Sequence, residues 1–114
     1  MNNTVEIKSF HFAIRIVKLC NYLHDSKKEH VLSKQLLKAG TSIGANIAES
    51  QQAQSRVDFI SKLNIALKEA AETNYWLRLL NATHYLSDLE FSSISKDCIE
   101  LEKLLISILK TAKE

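Results

Sequence analysis

Four histidines, two cysteines and two glutamates three residues apart are the side chains of this chain that could do chemistry. In a helical protein the centre they would build is a carboxylate-bridged di-metal site. Such a site needs two Glu-x-x-His motifs and a further carboxylate from each of two other helices. His11, His24, His30 and His84 include no Glu-x-x-His; the nearest approach is Asn81-Ala82-Thr83-His84, and asparagine does not replace the bridging acid. Glu69 has Lys62 and Lys68 close by on the same predicted helix, which reads as a solvated charged face. Glu72, beside Ala70, Ala71 and Trp76, is expected to be partly buried and to need a donor such as Asn46 or Ser42 across a helix interface. Ser42 has no Gly-x-Ser-x-Gly frame, and Cys20 and Cys98 stand in no metal-binding spacing. The expectation is no catalytic residue, no metal, no cofactor and no small-molecule substrate.

Phosphate binding is less demanding, because it needs cationic side chains and no fixed geometry. Residues 1–40 carry Lys8, Arg15, Lys18, Lys27, Lys28, Lys34 and Lys38 against Glu6, Asp25 and Glu29, a local excess of positive charge within a net charge of +2. Those seven are the candidate nucleic-acid contacts. Lysine-rich helix faces are also simply solvated faces, and that reading stands beside the first.

The elements that must position these groups are helices. There is no proline, and Gly40 and Gly44 are the two glycines, so the turn residues of a β-rich chain are missing. Phe10, Ala13, Ile14, Val17 and Cys20 repeat at three- and four-residue steps, as one face of a first helix over Val5–Leu23 requires. Phe12, Ile16, Leu19 and Leu23 form a second stripe to one side. Ser26-Lys27-Lys28-Glu29 has the spacing of a capping box and predicts the start of a second helix, which ends near Gln52. Ser55 predicts the cap of a third helix through Leu80, and Ser87-Asp88-Leu89-Glu90 a capping box for a fourth through Leu109. Short connections make successive helices antiparallel neighbours, so the expected fold is all-α, a single antiparallel up-down four-helix bundle over residues 1–114. The first and fourth helices are more apolar than a lone bundle needs, which predicts a self-association surface.

Nothing in MNNTVEIKSF looks like a secretory signal, and no run of eighteen apolar residues offers a membrane span. Two well-separated cysteines in apolar patterns read as buried thiols. A cytoplasmic protein is expected.

One run is unlike a generic amphipathic helix: Ser42-Ile43-Gly44-Ala45-Asn46-Ile47-Ala48-Glu49. Each glycine costs about 1 kcal/mol in a helix interior, so a close helix contact is expected to offset it. The longer run Gln35–Glu49, with Lys68-Glu69-Ala70-Ala71-Glu72-Thr73-Asn74-Tyr75-Trp76-Leu77, resembles the two blocks of the bacterial 23S rRNA intervening-sequence proteins. Departures are Leu37 and Lys38 where an arginine pair is usual, Gly44 where proline is frequent, and Ser50 where glycine often follows the glutamate.

The resemblance implies a four-helix bundle that assembles into a ring-shaped homopentamer, with RNA or a ribonucleoprotein as candidate partner. Accessory proteins of diversity-generating retroelements share that fold. Ser42–Glu49, Glu69, Glu72 and Trp76 are then signature residues with a packing role, Ala48 expected on a buried small-residue face. The alternative function is a protein-interaction scaffold without nucleic-acid affinity.

Overall fold

The computed structural model describes residues 3–114. Four helices follow in order: α1 Asn3–Asp25, α2 Leu32–Ser50, α3 Arg56–Ala82 and α4 Asp88–Ala112. Turns of five or six residues join them, too short for anything but a reversal. The result is the expected antiparallel four-helix bundle, about 44 Å long and 21 Å by 19 Å across. No helix among the described residues is long and apolar enough to cross a membrane.

The caps explain where the helices begin. Ser55 Oγ accepts from Asp58 N–H at the start of α3. At α4 the box is complete: Ser87 Oγ accepts from Glu90 N–H, and Glu90 accepts from Ser87 N–H. The latter bond holds the Glu90 carboxyl below its usual range. The predicted box at Ser26 is not formed. Ser26 N–H donates to Tyr22 O as a continuation of α1, and α2 begins only at Leu32. Glu29 instead turns its side chain onto the helix end: Ser33 N–H donates to Oε1 at 2.7 Å, and Leu32 and Val31 N–H donate to Oε2 at 3.0 and 3.2 Å. Three orphan amides thus share one buried carboxylate. Burial pushes Glu29 upward, but the amides of Leu32, Ser33 and Val31 outweigh it and hold the group below its ordinary value.

The core runs the length of the bundle through Phe12, Ile16, Leu36, Ile43, Leu63, Leu77, Leu101 and Leu105. Of the two apolar stripes on α1, the bundle buries one and leaves most of the other in solvent. Val5, Phe12, Ile16 and Leu23 are buried, whereas Phe10, Ile14 and Val17 are exposed, with Cys20 the member of that set that reaches the core. The buried stripe extends over the whole helix, so it can seal the full bundle, whereas the other fades after Val17.

Helix contacts are dense between α1 and α2, α2 and α3, and α3 and α4, and sparse between α1 and α4. Polar links hold that fourth seam. Lys8 Nζ meets Glu100 Oε2 at 3.0 Å; Arg15 meets Asp97 Oδ2 at 2.6 Å and Ser93 Oγ at 3.0 Å. Both cysteines are free and buried. Each thiol donates to a carbonyl, Cys20 to Ser33 O and Cys98 to Ala70 O, both at 3.3 Å. Burial pushes Cys20 up to about 11 and Cys98 up to about 12, the latter with help from Glu102.

Candidate interaction surface

The signature run Ser42–Glu49 is the middle and end of α2, and its residues divide between three faces. Ile43 and Ile47 are wholly buried in the core. Gly44 faces α1, where it lies over the Ser9 backbone. Asn46 donates to Ser42 O at 2.8 Å and Ser42 to Lys38 O at 2.6 Å, so both amide and hydroxyl are satisfied within α2. Glu49 approaches Lys62 of α3 at 3.9 Å. Ala45 and Ala48 are exposed, so the packing role expected for them is not met inside the chain, and Ala48 is not on a buried face.

Those exposed small residues floor a groove. Between α1 and α2 lies a trough lined by Ile7, Phe10 and Ala13 on one side and Thr41, Gly44, Ala45 and Ala48 on the other. Ile14 and Val17 continue the α1 wall, and Leu37 continues the α2 wall. Phe10 is 67% exposed and Ile7 57%, large apolar groups set every three or four residues along one helix. Single exposed apolar residues need no explanation, but a contiguous stripe beside a small-residue floor has the form of a helix-accepting surface. The close α1–α2 approach creates it: Gly40 lets Ile16 sit directly over the α2 backbone. The sequence signal was the doubled stripe of α1, which marks an excess without saying which stripe is the excess.

The seven candidate phosphate contacts do not form one patch. Lys8 and Arg15 are paired across the α1–α4 seam. Lys27 lies 5.9 Å over the Tyr22 ring. Lys18, Lys28 and Lys34 are exposed and in no ion pair among the described residues. Lys38 is exposed on α2 and lowers the proton affinity of Glu69 across the α2–α3 seam.

The second block lies on α3. Glu69 has its proton affinity raised by burial and by neighbouring Glu72, with Lys38 opposing; its electrostatic partner is therefore Lys38 and not Lys62 or Lys68. Glu72 is exposed, contrary to expectation, and accepts from Trp76 Nε1 at 3.1 Å one turn on, not from Asn46 or Ser42. Trp76 is half-buried and packs on the core from outside, so this bond settles its indole N–H at the surface. Among the described residues no three His, Cys, Asp or Glu side chains converge to hold a metal ion.

Comparison with known proteins places this architecture. A family model described as 23S rRNA-intervening sequence protein matches residues 1–107. A crystal structure of a protein with unknown function from the S23 ribosomal protein family of Bacteroides thetaiotaomicron is similar, with a TM-score of 0.92 and 59% identity over 93% of this chain and 98% of that one. No curated protein matches the chain.

Proposed function

The chain belongs to the 23S rRNA-intervening sequence protein family, and from that premise we propose that it acts without catalysis, as a bundle that associates with copies of itself through the α1–α2 groove. The observation that carries this reading is the exposed stripe Ile7, Phe10, Ile14 and Val17 beside the small-residue floor. A monomer keeps that stripe in water; association removes it at roughly 25 cal/mol per Å² of apolar surface. The family resemblance supports a ring of several copies as the form of that assembly. Light scattering coupled to gel filtration tests it. The expected mass is a multiple of 12.9 kDa, and a clean monomer at micromolar concentration would sink the proposal.

A second reading is RNA contact, favoured by the exposed Lys18, Lys28, Lys34 and Lys38. In an assembly these charges are multiplied around the ring, which adds phosphate contacts that one copy lacks. Affinity for RNA measured against salt separates this reading from a pure scaffold: a steep decline with salt supports phosphate contacts, and no binding near ~50 mM salt rejects them.

A further inference from the structure

We infer that His24 and His30 together form a binding site for a divalent transition-metal ion of the type of Cu²⁺. Neither histidine belongs to the α1–α2 groove, so the site does not depend on self-association. The two are six residues apart, a spacing that no single helix face brings together. The reversal between α1 and α2 does so, with ring centres 4.1 Å apart and ring planes inclined at 64°.

Buried neighbours hold the pair in place. His24 follows Leu23 and His30 follows Glu29, and both of those residues are buried. They are joined directly, because Glu29 N–H donates to Leu23 O at 2.9 Å. Between them Lys28 takes a left-handed φ of 56°, which turns the chain back on itself. Glu29 is anchored in turn by the amides of Val31, Leu32 and Ser33 that donate to its carboxylate. The separation of the two imidazoles is therefore set by buried atoms, although both residues are exposed. An ion gains two ligands there without ordering a loop.

Asp25 Oδ1 lies 3.1 Å from His24 Nδ1. A carboxylate accepts and cannot donate, so in the neutral ring Nδ1 carries the proton and Nε2 keeps the lone pair that a metal needs. Asp25 is thus a positioning residue, and its charge offsets that of the ion. Among the described residues no three His, Cys, Asp or Glu side chains converge, so water completes the shell. Ring spacing selects the geometry. With metal–nitrogen bonds of ~2.0–2.1 Å, imidazoles at right angles around one ion have centres roughly 4.5 Å apart, and tetrahedral ones about 5 Å or more. The observed 4.1 Å is nearer the first. Right-angled nitrogen and oxygen donors suit Cu²⁺, which also leads the affinity order of the divalent first-row ions.

Titration of the full chain with aqueous Cu²⁺, followed by calorimetry and electron paramagnetic resonance, tests the site. One equivalent should bind, with hyperfine structure from two nitrogens. Loss of a partner behind a metal ligand costs about 10–100-fold in affinity and loss of a ligand no less, so His24→Ala and His30→Ala should each weaken binding at least about tenfold. Asp25→Asn should weaken it less than either. His11→Ala and His84→Ala should leave it unchanged, and the native thiols are buried and do not compete. Because both ligands are exposed, their substitution should not move the metal-free melting temperature, and Cu²⁺ should raise that temperature only where both histidines remain. Native affinity in either single-histidine variant, a spectrum with one nitrogen, or no binding by the unmodified chain at micromolar concentration would overturn the site.

Discussion

Ile16 of α1 fills the space that a side chain at Gly40 of α2 would need. A methyl group on Gly40 would stand 2.8 Å from both Cγ1 and Cγ2 of Ile16, and Ile16 is completely buried. The close approach of the two helices is therefore built on the absence of a Cβ at one position, and the groove on their outer side follows from it.

Gly40→Ala and Gly44→Ala should behave oppositely. Alanine gains about 1 kcal/mol of helix propensity at either site. At Gly40 the clash is with a β-branched side chain that cannot swing away, and overpacking of about 1–3 kcal/mol wins. At Gly44 the nearest atoms belong to Ser9 at 3.4 Å, close to ordinary contact, so the change is neutral or stabilises by up to about 1 kcal/mol. Urea unfolding of the two variants checks this; equal destabilisation would contradict the geometry.

Removing the Glu29 carboxylate should cost α2 its cap. Glu29→Gln keeps the shape but loses the charge and one acceptor, a loss of about 1–2 kcal/mol at pH 7. The folded-state pKa lies below the unfolded value. The stabilisation is therefore complete above the unfolded carboxylate range and disappears as pH falls through the folded value. Melting curves should show the gap between wild type and variant closing below about pH 4. A gap independent of pH would mean the charge is irrelevant.

The thiols should be inert in the folded chain. With Cys20 held up at about 11 and Cys98 at about 12, hardly any thiolate exists at pH 8, and both sulfurs are screened from solvent. An aromatic disulfide reagent should react slowly with native protein and take two equivalents after denaturation. Rapid native labelling would show that the bundle opens.

Phe10→Glu and Ile14→Glu should separate assembly from folding. Both residues are outside the core, so unfolding free energy of the single chain should shift by about 0.5 kcal/mol or less. The assembled mass should fall to that of one chain, 12.9 kDa. Retention of the assembled mass would place the contact elsewhere.

Ala48→Leu separates the same two properties at the groove floor. With Ala48 exposed, the substitution should leave single-chain stability nearly unchanged, while filling the trough that a second copy would enter. A loss of about 1–3 kcal/mol in the single chain would instead mean the face is buried there.

The sequence by itself determined the helices, their order and the bundle. Periodicity, the caps at Ser55 and Ser87, and the short connections are local properties that one chain states about itself. It also marked the Gly40–Gly44 region as a close contact, because two glycines inside a helix carry a cost that packing must offset. Tertiary structure decided what local spacing leaves equal. Two stripes of α1 have the same helical period, and only docking against α2 and α4 shows that Phe12 and Ile16 enter the core while Phe10 and Ile14 do not. Ser26 and Glu29 have capping-box spacing, yet α1 runs on past the serine, and the glutamate reaches forward to the amides of Val31, Leu32 and Ser33. Lys8 and Arg15 read as free cations until α4 brings Glu100 and Asp97 beside them. A helix face is defined by what packs on it, and that partner lies tens of residues away in the chain.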